Sequence, residues 1–265
     1  MPELPDVENF RKYFNRTSLH KKIQKVDVNA KKMLKGVSSR SLQMNLKNDS
    51  FSKTSRHAKY LFAHTDNDKI LVLHFGMTGR LQYYKNEDEK PDHTRMLINF
   101  SNGYHLAFDC PRKFGRIFLI DDKRKFIEKR KLGPDPVADK LNLSKFRKIL
   151  DGKRGAIKAA LMDQKTISGL GNIYSDEILF NAGIHPASKT EKMSSDQLTK
   201  IYRMMNKVLN KVIDVDADVR KMPRTYLLSH RESGKDCPRC SGKIRKKTIG
   251  GRSAYFCDKH QKKLN

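Results

Sequence analysis

The hydrophobic period of this chain changes once, and that change limits its architecture more than any other feature. Up to about residue 130 the apolar residues come in short runs, at 59–64, 70–75, 80–84, 94–100, 104–108 and 116–120. Turn signals such as Thr65-Asp66-Asn67-Asp68 and Asn102-Gly103 separate them. Short strands at regular spacing predict a β-sandwich or barrel. Gly133, Pro134 and Pro136 then mark a linker. Beyond it the period is helical. Phe146, Ile149 and Leu150 follow Ser144 as a candidate N-cap, and Ile157, Ala160 and Leu161 follow Gly155. Ile173, Tyr174, Ile178 and Leu179 follow Gly169-Leu170-Gly171-Asn172, with an end near Gly183 and Pro186. A long helix opens at Ser194-Ser195-Asp196-Gln197 and places Leu198, Ile201, Met205, Val208 and Val212 on one face. The expected architecture is α+β and multidomain. Residues 1–130 form a β-sandwich with an N-terminal helix, 131–143 a linker, 144–228 a helical domain and 229–265 a zinc-ribbon finger.

The ribbon rests on the most specific local pattern in the chain. Cys237 and Cys240, then Cys257 and His260, are two pairs of ligand types with sixteen residues between the pairs. Each pair can chelate from a tight knuckle, so these four residues are expected to hold one structural Zn2+ with no open coordination position. Between them, Thr248-Ile249-Gly250-Gly251-Arg252-Ser253 predicts a hairpin tip that carries Arg252 and can enter a groove. Cys110 stands apart from the three clustered cysteines, which argues against a disulfide framework, and is expected to be a small buried hydrophobe.

Charge narrows the partner. The 265 residues include 56 Lys and Arg against 29 Asp and Glu, a formal net charge of +27 that chemistry on a neutral small molecule does not call for. A polyanion is the expected partner, because a basic surface releases counterions when it neutralises phosphates. No apolar run approaches the roughly 18 residues of a membrane span, and no leader-like segment opens the sequence. A soluble, intracellular protein is expected, acting as a monomer without a membrane, and cytoplasmic or nucleoid-associated in a prokaryote.

The first eight residues, Met1-Pro2-Glu3-Leu4-Pro5-Asp6-Val7-Glu8, carry the candidate chemistry. Trimming of Met1 would leave Pro2 with a free secondary amine, and an α-amino group has a pKa of roughly 8 against about 10.4 for lysine. Such an amine can attack a sugar aldehyde carbon and form an imine. Pro5 suits a first helical turn, Asp6 and Glu8 suit the dipole, and Val7, Phe10 and Phe14 repeat as an apolar stripe. The terminus is therefore anchored, with Glu3 beside the amine as a group able to give or take a proton.

Other candidates stand on loops. Lys59 is placed at the start of a strand, and Met77 lies between Gly76 and Gly79 on a turn that exposes it. Arg112 and Phe114 sit two apart on a loop, a pairing that suits a phosphate and a gap in a base stack. The Gly169-Leu170-Gly171-Asn172 turn offers backbone N–H groups at a helix start, with Asn172 as an added contact.

In their order along the chain, MPELPDVE, RHAKYL, HFGMTGR, CPRKFG, LGPDP, MDQKTISGLGNIYSDEILFNAGIHP and the ribbon with GGRS closely resemble the formamidopyrimidine-DNA glycosylases of base-excision repair. The resemblance runs from residue 2 to about residue 261. It implies a β-sandwich, a helix-two-turn-helix domain and a zinc finger, acting on double-stranded DNA that contains oxidised bases or abasic sites. Carried over by motif, Pro2 would be the Schiff-base nucleophile at C1′ and Glu3 the proton donor. Lys59 would serve β-elimination, and Arg252 δ-elimination and phosphate grip. Met77, Arg112 and Phe114 would fill the space of the everted base, while His93, Lys153 and Asn172 would contact phosphates. The implied activity is a bifunctional glycosylase and abasic-site lyase, since a base must leave the stack before C1′ can be attacked.

Departures from the family pattern bear on the substrate. Asp6 stands for the usual glutamate, Cys110 interrupts the usual Asp-Pro-Arg-Arg-Phe-Gly loop, and His260 replaces a fourth cysteine. The segment 214–231 is shorter than the lesion-capping loop of 8-oxoguanine-specific members, which brings formamidopyrimidines and oxidised pyrimidines forward as substrates. Two other classes stay open: a non-catalytic binder of damaged or abasic DNA on the same fold, and a basic zinc-ribbon protein bound to ribosomal RNA. The latter leaves the opening motif unexplained.

Overall fold

Helix α1 (Leu4–Ser18) begins where its sequence says it can: Glu3 is the N-cap and forms a capping box with Asp6, and Pro5 occupies the first turn. Its buried face, Leu4, Val7 and Phe14, lies in the core of a sandwich. The computed structural model describes residues 1–138 and 141–264, in two compact units, Met1–Lys131 and Leu132–Asn265.

In the first unit, one antiparallel sheet runs in the order β1 (Ile23–Val28), β6 (Thr94–Phe100), β7 (His105–Asp109), β5 (Arg80–Tyr84). The other runs β2 (Phe51–His57), β3 (Tyr60–Thr65), β4 (Ile70–His74), β8 (Arg116–Ile120). Phe14, Phe51, Leu61, Phe75, Phe100 and Phe108 fill the space between them, and Cys110 is fully buried there as a small hydrophobe. β1 and β2 have no counterpart among the apolar runs of the sequence. Both are edge strands, and the polar Gln24, Lys25, Ser52 and Lys53 on them leave no apolar run to read. Lys59 is corrected from strand start to turn: β2 and β3 are joined by Ala58-Lys59, with Ala58 at φ 53°. Helix α2 (Ser39–Leu46) and helix α3 (Lys123–Lys129) pack outside the strands, α3 covering Phe62, Val72 and Phe118 with Phe126.

The second unit holds α4 (Leu143–Leu150), α5 (Ile157–Met162), α6 (Asn172–Ala182) and α7 (Ser195–Asp214) around Phe146, Leu161, Ile178, Met205 and Val208. The cap of α4 is Asn142, whose side chain accepts from the Lys145 N–H at 2.8 Å, so Ser144 lies inside the helix and not before it. Helix α7 opens with the expected capping box of Ser194 and Gln197. Helix α6 ends at Gly183, whose φ of 66° is the left-handed cap. Beyond them β9 (Arg245–Ile249) and β10 (Arg252–Phe256) form a hairpin turned by Gly250 and Gly251, both at positive φ. Among the described residues no helix is long and apolar enough to cross a membrane.

Candidate functional site

The start of α1 buries a carboxyl. Glu3 is only 1 % exposed, and its backbone N–H donates to Asp6 Oδ2 at 2.8 Å, so the residue next to Pro2 is fixed by helix geometry. Asp6, the shorter acid at this position, thus closes the first turn of the helix. Lys59 is 6 % exposed on the Ala58-Lys59 turn. Next to it, Tyr60 pairs directly with His74 of β4, and His74 with Arg116 of β8. The Gly76 N–H donates to His74 Nδ1 at 3.2 Å. Burial, then the charges of Lys59, Arg116 and Arg130, lower the His74 pKa to about 4. The ring is therefore neutral at physiological pH, with Nε2 carrying the proton. The motif reading passed over His74, although a histidine heading a Gly-Met-Thr-Gly turn was a visible signal.

A second group forms around Gly76. Its φ is 61°, and an added Cβ would lie 2.6 Å from both the Gly115 nitrogen and the Phe114 carbonyl oxygen. Only glycine lets the Met77 turn lie against the 112–115 loop. Met77 and Phe114 are 41 % and 53 % exposed, unusual for large apolar side chains. The Arg112 guanidinium stands 5.1 Å from the centre of the Phe114 ring. The Cys110 N–H donates to the His93 carbonyl at 3.0 Å, and Arg95 Nε donates to the Cys110 carbonyl at 3.0 Å, which fixes the base of that loop. Met77, His93, Arg112 and Phe114 thus belong to one neighbourhood.

In the second unit the turn before Asn172 is shaped by a residue that motif reasoning did not single out. Gln164 accepts from the Gly169 N–H at 3.0 Å and donates to the Leu170 carbonyl at 2.7 Å, binding the Gly-Leu-Gly turn from inside. At α6 the Asn172 Oδ1 is buried with no hydrogen-bond partner among the described residues. Arg252, Gly250 and Gly251 face Ala159, Met162 and Asp163 across a cavity of about 400 Å³. Lys153 Nζ stands 3.5 Å from Asp163 Oδ2. Lys153 and Arg252 therefore both adjoin Asp163, one by an ion pair and one across the cavity.

The metal ligands divide. Cys237, Cys240 and Cys257 bring their sulfurs within 4.8 Å of one another. Gly242 makes room for them: a Cβ there would lie 2.7 Å from the Cys257 sulfur, and its N–H donates to the Cys240 sulfur at 3.4 Å. Three convergent thiols around a side-chain-free cradle fit a zinc ion. His260, the expected fourth ligand, is not in this convergent group among the described residues. Its ring packs on Phe180 with centroids 4.7 Å apart, and Nε2 is 2.9 Å from the Phe180 carbonyl oxygen, which leaves Nδ1 as its ligand atom.

Comparison with known proteins agrees along the whole chain. Family models match as the formamidopyrimidine-DNA glycosylase N-terminal domain over residues 1–117 and its H2TH domain over 132–223. The zinc finger found in FPG and IleRS matches residues 234–259. A formamidopyrimidine-DNA glycosylase of Mycoplasma mobile is 31 % identical, the alignment covering 98 % of this chain and 99 % of the relative. One from Pelotomaculum thermopropionicum is 33 % identical over 99 % of each. The crystal structure of the Lactococcus lactis enzyme bound non-covalently to DNA containing an AP site superposes with a TM-score of 0.90 at 28 % identity, covering 98 % of this chain and 100 % of that one. Its complex with FAPY-dG-containing DNA gives a TM-score of 0.89 at 27 % identity over 98 % and 100 %.

Proposed function

This chain belongs to the formamidopyrimidine-DNA glycosylase family of base-excision repair, and from that premise we propose that it excises oxidised bases through an imine at Pro2 and then cleaves the strand. The substrate class is duplex DNA carrying formamidopyrimidine, 8-oxoguanine or oxidised pyrimidines, or an abasic site. The Pro2 nitrogen attacks C1′ of a nucleotide turned out of the stack, and the glycosidic bond breaks. Glu3 delivers a proton to the opening sugar, and the secondary amine becomes an iminium ion. That cation acidifies C2′–H; its proton goes to a base and the 3′ phosphate leaves. Lys59 is assigned to this β-elimination, and Arg252 to the second elimination, which expels the 5′ phosphate. Met77, Arg112 and Phe114 occupy the gap in the stack, and His93, Lys153 and Asn172 hold phosphates. A zinc ion on Cys237, Cys240 and Cys257 would fix the knuckles that present the β9–β10 hairpin.

The observation that carries the reading is Glu3: a carboxyl 1 % exposed, locked as a helix cap immediately after Pro2. A helix cap alone has no need of a buried acid, whereas proton transfer beside an amine does. Borohydride trapping on duplex DNA with an abasic site tests it. The expected result is a covalent adduct on the peptide that begins with Pro2, from protein whose intact mass lacks Met1. Strand cleavage at full rate by protein that retains Met1 would overturn the reading, and absence of both adduct and cleavage would favour a binder without chemistry.

A further inference from the structure

Arg56 is a guanidinium 5 % exposed, next to the end of strand β2. Withdrawing such a charge from water costs several kcal/mol unless its donors find partners. They do: Nε donates to Glu8 Oε2 at 3.1 Å on α1, and Nη1 donates to the Ala58 carbonyl at 3.0 Å. Glu8 also accepts from Arg11 Nε at 3.0 Å and from Nη2 at 2.6 Å. Burial pushes the Glu8 carboxyl up, but Arg11 and Arg56 together hold it below its usual value, so it stays ionised. One side chain thus ties the helix that starts at Glu3 to the turn that carries Lys59.

That turn is strained. Ala58 sits at φ 53°, a left-handed conformation that crowds the Cβ of a non-glycine residue against its own backbone. Strain of this kind persists where the surroundings over-determine it, and the bond from Arg56 to the Ala58 carbonyl is such a restraint. If the turn served only to reverse the chain, glycine or asparagine would do so at lower cost. A strained alanine pinned by a buried arginine holds the next residue, Lys59, in one place.

We propose that Arg56 is a positioning residue for strand cleavage, setting Lys59 relative to the start of α1 through Ala58 and Glu8. The inference rests on the Pro2 reading above and deepens it: imine formation depends on the α1 terminus alone, whereas β-elimination needs the lysine in register with it. Arg56 touches no reacting atom.

The test uses the full-length protein with Arg56→Met, Arg56→Lys and Ala58→Gly on an abasic duplex under single-turnover conditions. Arg56→Met leaves Glu8 paired with Arg11, so no lone buried charge remains. Ala58→Gly removes the left-handed penalty and is expected to melt at or above the temperature of the parent. Borohydride-trapped adduct should stay within about threefold of the parent, while the rate of β-elimination falls about tenfold or more in Arg56→Met and Ala58→Gly, with Arg56→Lys between. Trapping and cleavage that fall together in step with melting temperature would reduce Arg56 to a structural part and overturn the proposal. Cleavage unchanged in all three variants would overturn it too. Failure of the unaltered protein to form any adduct is a different result, and removes the Pro2 reading first.

Discussion

Gly76 and Phe114 meet backbone to backbone, close enough that a Cβ on Gly76 would stand 2.6 Å from the Phe114 carbonyl oxygen. Gly76→Ala therefore has two costs, a clash with atoms that cannot move alone and a φ of 61° that alanine resists. We expect it to lower stability by about 2–4 kcal/mol. It should also weaken binding to an abasic duplex by about tenfold, because the Met77 turn is pushed off the Phe114 loop. Melting and fluorescence anisotropy check the two separately; an alanine variant that binds as tightly as the parent would show that the contact does not place Met77.

The pH dependence of folding reports on His74. Its folded pKa is about 4 against an ordinary 6.5, because burial first, then Lys59, Arg116 and Arg130, oppose the charged ring. Below pH 6.5 the unfolded chain takes up a proton that the folded chain refuses, so this stability is fully present above 6.5 and is lost as pH falls towards 4. The contribution is at most about 3 kcal/mol. His74→Gln should flatten that part of the curve in denaturant titrations at pH 7 and pH 5. Equal slopes in parent and variant would mean that the ring is not held neutral.

How much of this was legible in the sequence depends on what each element rests on. The apolar runs at 80–84, 94–100 and 116–120 became β5, β6 and β8 residue for residue, because packing of apolar faces is what makes them strands. The run at 104–108 shifted by one, since Tyr104 leaves the strand to stack on Tyr83, ring planes 4° apart. β1 and β2 stayed hidden because Gln24 and Lys25, and Ser52 and Lys53, break up their apolar residues, whereas β5 and β8, edge strands too, keep a readable run. Asn142 and Ser144 are equally good caps on paper; the bond to Lys145 decides between them. Within the site, glycines and cysteines announce their geometry by type, whereas Arg56 and Gln164 act by bonding nearby backbone carbonyls, which their residue type does not announce. The orientation of the His260 ring is likewise a matter of packing on Phe180, which spacing cannot express.

Zinc should be lost from Cys257→Ser and weakened by Gly242→Ala, whose Cβ would stand 2.7 Å from the Cys257 sulfur. Because His260 lies apart from the three thiols, His260→Ala is expected to cost far less affinity than Cys257→Ser. Metal analysis and competition with a chromogenic chelator measure this. Equal loss from both variants would restore a four-ligand site with His260 in it.

Lys158 and Asp176 form an ion pair at 2.5 Å with both side chains fully buried. Lys158 Nζ also donates to the Ser253 carbonyl at 2.9 Å, while Asp176 Oδ2 accepts from Arg231 Nη2 at 2.7 Å and from the Tyr255 N–H at 3.1 Å. The network therefore joins α5 and α6 to β10 on both sides of Ala254, directly beyond Arg252. Burial pushes the Asp176 carboxyl up, and Lys158 and Arg231 oppose it. The partners are unequal, and so are the expected costs. Lys158→Met leaves Asp176 with Arg231 and the Tyr255 N–H, so the loss is one satisfied carbonyl and one charged bond, about 1–3 kcal/mol. Asp176→Leu removes the counterion of a buried ammonium and withdraws the acceptor of Tyr255, about 3–5 kcal/mol. The double variant should recover part of the Asp176→Leu loss, because two apolar side chains replace an ammonium that has lost its counterion. Chemical denaturation of the four proteins gives the coupling. If Lys158→Met proves the costlier single change, the lysine and not the aspartate is the hub of the network.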